Sequence, residues 1–254
     1  MTPSDDSRDD RGGAYDGPPP RRVVSLVPSL TEAIAVTDAT LLAGATDWCT
    51  HPAGLDVPRV GGTKWPDVAR VLALAPDLVI ANAEENRDED VAALRAVGIP
   101  VWVTAPATVD QALDTLGRML AVLDRPEPEW LRQARGAWAD PPRLAGVTAV
   151  VPIWRRPWMV LGRDTFAGDV LARLGVRNVF AGSADRYPKL AKDDPATVDA
   201  DLVVFPDEPY AFARDDGPEA WPQARPVFVS GRHLTWYGPS LAEAPAVLLG
   251  QLAG

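Results

Sequence analysis

The chain repeats itself. Val24-Ser-Leu-Val-Pro28 is echoed by Thr148-Ala-Val-Val-Pro152, and Lys64-Trp-Pro66 by Arg186-Tyr-Pro188. Asp77-Leu-Val79 is echoed by Asp201-Leu-Val203, and Pro100-Val101 by Pro226-Val227, all in the same order at offsets of 122 to 126 residues. In both copies an acid follows the D-L-V motif seven residues on, at Glu84 and Glu208. Each match is cheap alone, since D-L-V and P-V are common strand openings. Four in register mark an internal duplication, against the plainer alternative of two generic halves with similar strand spacing.

Each half alternates short apolar strands with helical stretches. Val23–Val27, Leu41–Thr46, Asp77–Asn82, Val101–Thr104 and Leu144–Ile153 are predicted strands; Ser29-Leu-Thr-Glu32 has the pattern of a capping box opening a helix, and Asn86–Val97 is predicted helical. Near-continuous apolar strands interleaved with helices predict an α/β fold with parallel sheets covered on both faces. Between the halves, Val109, Leu113, Leu116, Leu120 and Leu123 fall at helical spacing, with Pro126 and Pro128 before a second helical run. That stretch is one long helix with a proline break, or two helices. The resulting division is a tail at 1–20, a first lobe at 21–107, a linking helix at 108–140 and a second lobe at 141–254. Five aspartates, three glycines and four prolines in the first twenty residues predict a disordered tail.

Charge and composition remove several function classes. The net charge of −10 repels phosphate backbones and anionic lipid, which argues against nucleic-acid partners and a membrane surface. No apolar run reaches the roughly 18 residues of a membrane-inserted helix. One cysteine allows no internal disulfide, and two histidines cannot form an all-histidine metal cage. Neither G-x-G-x-x-G, G-x-x-x-x-G-K-[ST] nor G-x-S-x-G occurs. With no basic start followed by an apolar run and no early lipidation cysteine, the expected address is cytoplasmic, or extracytoplasmic if the true start lies upstream.

The nine tryptophans are the unusual feature, and five of them fall in predicted loops or strand ends. Trp48, Trp65, Trp154, Trp158 and Trp236, with Tyr187 and Tyr237, are candidates to line an aromatic cleft between the lobes, where flat rings bury a planar ligand at little conformational cost. The plainer alternative is that they cap the core. Lys64, Arg155, Arg156 and Arg186 stand beside these rings and are candidates to hold anionic ligand groups, or are solvated surface charges. Glu84, Glu85 and Asn86 follow a buried strand and either meet the ligand or favour the next helix through its dipole. Cys49 and His51 are placed to donate to a metal, as an axial ligand to one already chelated or as a thiolate–base pair, with no third partner at recognisable spacing.

Taken together, VVSLVPSLTE (23–32), TDWCTHP (46–52), VGGTKWPDV (60–68), LAPDLVIANAEEN (74–86) and GIPVWVTAPATVDQAL (98–113) resemble the helical-backbone metal receptors. These are the substrate-binding proteins of cobalamin and iron-chelate ABC transport, a class of periplasmic-binding-protein-like folds. WRRPWMVLGRDTF (154–166) and TWYGPSL (235–241) resemble a subgroup without an obvious secretion signal. The resemblance implies two Rossmann-like lobes joined by a single long helix. It also implies a non-catalytic, monomeric binding protein with no required cofactor, whose ligand is a metal chelate or tetrapyrrole such as cobalamin, haem or a ferric chelate. An ABC permease is the implied partner, gripped by an acid on each lobe: Asp67, near the aligned Ala69, and Asp193 or Asp194. The alternative reading is a cytoplasmic enzyme, chaperone or sensor handling a tetrapyrrole or metal without a transporter.

Overall fold

The computed structural model describes residues 7–191 and 194–254, which fall into two compact units. The first comprises the chain up to Pro106, Gln111–Gln133 and Tyr237–Pro239; the second comprises Ala107–Asp110, Ala134–Trp236 and Ser240–Gly254.

In the first unit β1 (Val23–Ser25) leads through α1 (Pro28–Asp38) to β2 (Leu42–Ala45), then through α2 (Val68–Ala73) to β3 (Leu78–Asn82), and through α3 (Asp88–Ala96) to β4 (Val101–Thr104). The four strands run parallel in the order β2-β1-β3-β4. Parallel neighbours need crossovers, and the crossover helices bury the sheet faces, which is why β3 and β4 are buried at every position. Val24, Val79, Ala81 and Val103 pack on one face against Val71, Val91 and Leu94.

The predicted capping box of α1 does not form. Val27 is the N-cap, and the buried Ser29 hydroxyl makes no hydrogen bond. Pro28 sets the start instead, with its fixed φ and no donor to satisfy. Thr31 reinforces it by donating both its N–H and its hydroxyl to the Val27 carbonyl, each at 2.9 Å.

The tail expected to be disordered is anchored by hydrogen bonds around Asp9 and Asp10, with residues 16–19 exposed; residues 1–6 lie outside the described residues. Asp9 is buried and accepts hydrogen bonds from the N–H groups of Arg11, Gly13 and Val103. Asp10 donates its own N–H to the Val103 carbonyl, while its carboxylate takes Ala105 N–H, the Thr115 hydroxyl and the Arg118 guanidinium. Composition weighs apolar burial against chain entropy; here backbone pairing along the open edge of β4 supplies what apolar area does not.

The linking stretch is two helices rather than a single long one: α4 (Val109–Val122) and α5 (Glu129–Ala139). Asp124 turns left-handed at φ 54°, Arg125 N–H closes back on the Leu120 carbonyl, and Pro126 and Pro128 supply no donors to carry the helix onward.

The second unit contains β5 (Val147–Val150), β6 (Pro152–Trp154), β7 (Trp158–Val160), α6 (Phe166–Arg173), β8 (Val176–Asn178), β9 (Lys189–Leu190), β10 (Leu202–Pro206), β11 (Arg225–Val229), α7 (Gly231–Thr235) and α8 (Ala244–Ala253). Its parallel sheet runs β8-β5-β10-β11, the same order as the first once the echoed strands are matched. The D-L-V aspartates do the same work in both copies. Asp77 accepts from the N–H groups of Arg21 and Arg22 (2.8 and 3.0 Å), and Asp201 from the Thr148 N–H and hydroxyl (2.8 and 2.7 Å), so each ties its strand to the start of the neighbour. The second copy differs by an antiparallel sheet of order β6-β7-β9. That sheet carries Trp158 into a core with Phe205, Phe212 and Trp221.

Candidate functional site

On the first unit, the loops that leave the C-terminal ends of β2 and β3 come together. Trp48 and Trp65 are 67% and 70% exposed, an unusual amount for indoles. Gly62 separates them: a Cβ there would lie 3.8 Å from Trp48 Nε1 and 3.9 Å from the Trp65 carbonyl. The Arg87 guanidinium stands 5.7 Å over the Trp65 ring and is itself paired with Glu89 and Asp90. Lys64 donates to the Glu84 carbonyl at 2.5 Å, so its charge holds the loop rather than reaching outward.

Asn82, the last residue of β3, organises the turn that follows. Its Oδ1 accepts the N–H groups of Glu84 and Glu85 at 2.7 and 3.0 Å, an Asx arrangement. Its own N–H is received by Asn86 Oδ1 (2.8 Å), and Asn86 Nδ2 donates to the Leu26 and Thr63 carbonyls. Glu84 and Glu85 therefore stand on a rigid turn at the rim, with Glu84 exposed, whereas Asn86 is buried and braces the loops. This turn precedes α3 without capping it; the acids of that helix's first turn are Asp88, Glu89 and Asp90. Tyr237, predicted to face a ligand, is instead buried, with its hydroxyl 2.5 Å from Asn82 Nδ2 and 2.7 Å from Thr104 Oγ1. Burial, and Glu85 nearby, push its phenol well above the ordinary value.

Cys49 and His51 part company. The thiol is fully buried, 3.0 Å from Thr31 Oγ1 and 3.1 Å from Thr46 Oγ1, and burial pushes its pKa up. A raised thiol is a poor nucleophile and a poor metal ligand. His51 sits half-buried in the loop before a cis bond to Pro52, with Nδ1 3.2 Å from the Thr50 hydroxyl. Among the described residues no group of three or more His, Cys, Asp or Glu is arranged to hold a metal ion.

On the second unit the predicted residues divide. Trp154 is 43% exposed and meets Tyr210 edge-on at 5.6 Å. Trp158 is a core residue, stacked on Phe212 and edge-on to Trp221, because alternation along β7 points it inward. Arg155 lies over Trp158 and is neutralised by Asp216 and Glu219, and Tyr210 donates to Asp216 at 2.6 Å. Arg155 and Trp158 are thus bound up with the protein itself. Arg186 and Tyr187 follow β8 on a loop, exposed and half-buried respectively; the Arg186 carbonyl accepts Gly162 N–H. Trp236 is half-buried and donates its side-chain N–H to Glu208.

Asp67 is the N-cap of α2, accepting Arg70 N–H at 3.1 Å and pairing with the Arg70 guanidinium. Asp193 lies outside the described residues. Its alternative, Asp194, accepts Ala191 N–H. A cavity of about 440 Å³ also opens beside α6, lined by Thr108, Arg163, Thr165, Asp169, Arg177 and Asn178 among others. None of the candidate ligand, metal or docking residues borders it, although it is lined in part by residues of the 98–113 and 154–166 motifs.

The family described as periplasmic binding protein matches residues 23–219. The vitamin B12-binding protein of Yersinia pestis (strain Pestoides F) is 26% identical over 198 residues, covering 72% of this chain and 68% of the relative. Among solved structures, the periplasmic vitamin B12 binding protein BtuF of Vibrio cholerae superposes with a TM-score of 0.73 at 21% identity, over 92% of this chain and 97% of that one. The apo periplasmic heme-binding protein RhuT from Roseiflexus sp. RS-1 gives 0.69 at 21% identity, over 90% and 96%. These matches overturn the cytoplasmic address expected from the first residues, because the family and both solved neighbours are periplasmic.

Proposed function

This chain belongs to the periplasmic binding protein family, and from that premise we propose that it is a ligand receptor for a flat, metal-bearing macrocycle, cobalamin before haem or a ferric chelate. The observation that carries the reading is the pair of indoles, Trp48 and Trp65, left two-thirds exposed on a braced rim at the strand ends. Exposed rings fixed by their loops bury area on a planar ligand without first losing conformational freedom. The relatives named for vitamin B12 and heme support the ligand class.

Charge favours the cobalamin end of that class. Lys64 is engaged by the Glu84 carbonyl, Arg87 by Glu89 and Asp90, and Arg155 by Asp216 and Glu219. A net charge of −10 adds a repulsive field for polyanions. Neutral amide arms are better suited to such a rim than propionates or catecholates. The role needs no turnover, and the partner proposed is an ABC permease. Asp67 is the first-unit acid offered to it, with its carboxylate partly exposed beside Arg70.

Tryptophan fluorescence titrated with cyanocobalamin, haemin and ferrichrome tests the reading. Cyanocobalamin is expected to quench with a Kd near or below about 1 μM, and Trp65→Ala to weaken it by about tenfold or more, 1.4 kcal/mol. No response to any of the three up to about 1 mM would overturn the reading.

A further inference from the structure

We propose that Tyr237 is a positioning residue for the rim of the first unit: its buried hydroxyl orients Asn82, and through Asn82 the turn and loop that carry Glu84, Glu85 and Trp65. That this rim meets a ligand rests on the reading above; the hydrogen-bond chain stands apart from it.

The chain can be followed atom by atom. Thr104 Oγ1 donates to the Ala81 carbonyl at 3.2 Å, which leaves its oxygen to accept the Tyr237 O–H at 2.7 Å. The Tyr237 oxygen in turn accepts from Asn82 Nδ2 at 2.5 Å. An amide side chain has one orientation that presents Nδ2 to this phenol and Oδ1 to the N–H groups of Glu84 and Glu85. Thr104 receives the same Nδ2 on its carbonyl and Oγ1 at 3.1 and 3.2 Å, so the phenol is the shortest of three acceptors that hold Asn82 this way round. Asn86 closes the turn on the Asn82 N–H and carries the constraint to the Thr63 carbonyl, while Lys64 ties the same loop to the Glu84 carbonyl. Trp65 is the next residue.

Buried bonds in series strengthen one another, and loss of the phenol oxygen takes from Asn82 Nδ2 its shortest acceptor, leaving it the longer bonds to Thr104 in a low-dielectric site. Nothing in the sequence near Asn82 requires the tyrosine; it arrives from 155 positions downstream. A purely packing role would be filled by the ring alone, which is what Tyr237→Phe leaves in place.

The test measures two things on the full chain with that variant. Amide hydrogen exchange at Glu84 and Glu85 is expected to quicken by about tenfold, with Val79 and Ile80 in the same strand unchanged. Affinity for cyanocobalamin is expected to fall by about tenfold. Unchanged exchange at the two glutamates overturns the proposal, and so does faster exchange with unaltered affinity. If the unmodified protein binds neither cyanocobalamin nor haemin, the ligand reading fails by itself, and exchange still decides whether Tyr237 sets the turn. Thr104→Val, which keeps the shape but removes the acceptor of the Tyr237 proton and one direct acceptor of Asn82 Nδ2, must move exchange in the same direction; no change there overturns the proposal equally. Should Tyr237→Phe fail to fold, this second variant carries both measurements.

Discussion

Glu208 lies half-buried in the loop just after β10, accepting the Thr235 hydroxyl at 3.3 Å and the side-chain N–H of Trp236. Burial pushes its pKa above the ordinary carboxylate value, against the pull of those two donors. A group whose folded pKa is raised stabilises the fold below its unfolded pKa and loses that contribution as pH rises through the folded one. Charged Glu208 is thus a liability at neutral pH. Glu208→Gln, which keeps an oxygen for both donors, is expected to raise Tm by about 2–4 °C at pH 7.5 and by much less near pH 4. Equal shifts at the two pH values would refute the burial account. Residue roles were only half legible in advance. Position between strands marked Trp48, Trp65, Trp154 and Trp158 alike as loop or strand-end aromatics, yet three are exposed and Trp158 is core. Spacing along the chain does not say which side of a short inserted sheet a ring will take. Asn82 is not among the expected site residues, although a polar residue closing the apolar run Leu-Val-Ile-Ala is a readable sign of a strand end that organises a turn.

At the scale of elements, strands were the most readable feature, because a buried parallel strand is a run of β-branched and aliphatic residues and little else. Helix starts were less so: Ser29 and Glu32 match a capping box, but Pro28 already fixes the first turn. The N-terminal segment departs from the expected disorder because its bonds are made to distant partners that composition cannot reveal. Asp9 is the keystone of that segment, serving three backbone N–H groups with Arg95 beside it. Asp9→Ala leaves the Val103 N–H unpaired at the sheet edge, and is expected to destabilise the first unit by about 2–3 kcal/mol, lowering Tm by several degrees. The exposed Asp16 in the same segment is the control, with Asp16→Ala expected to move Tm by less than about 1 °C. A neutral Asp9→Ala would mean that the edge of β4 does not need its cover.

At the scale of the molecule, the duplication explains why one strand order serves both sheets, and why Asp77 and Asp201 make matching bonds. It does not explain the threading. Neither unit is one continuous stretch: the first is completed by Tyr237–Pro239, which reaches it only after most of the second has been laid down in sequence. Repeat offsets compare each half with the other and are blind to a segment that one half lends. Gly238 shows how closely the lent segment fits, for a Cβ there would lie 2.8 Å from the Ser29 carbonyl oxygen, and backbone does not yield as a flexible side chain does. Gly238→Ala should then cost about 1–3 kcal/mol of overpacking. The loss should fall on the first unit, with amide exchange rising at the start of α1 and in the turn after β3. Exchange in β10 and β11 should hold its rate, since those strands belong to the other unit. If β10 and β11 loosen while α1 stays protected, then residues 237–239 work chiefly for the half that precedes them in the chain, and the division of the molecule has to be redrawn.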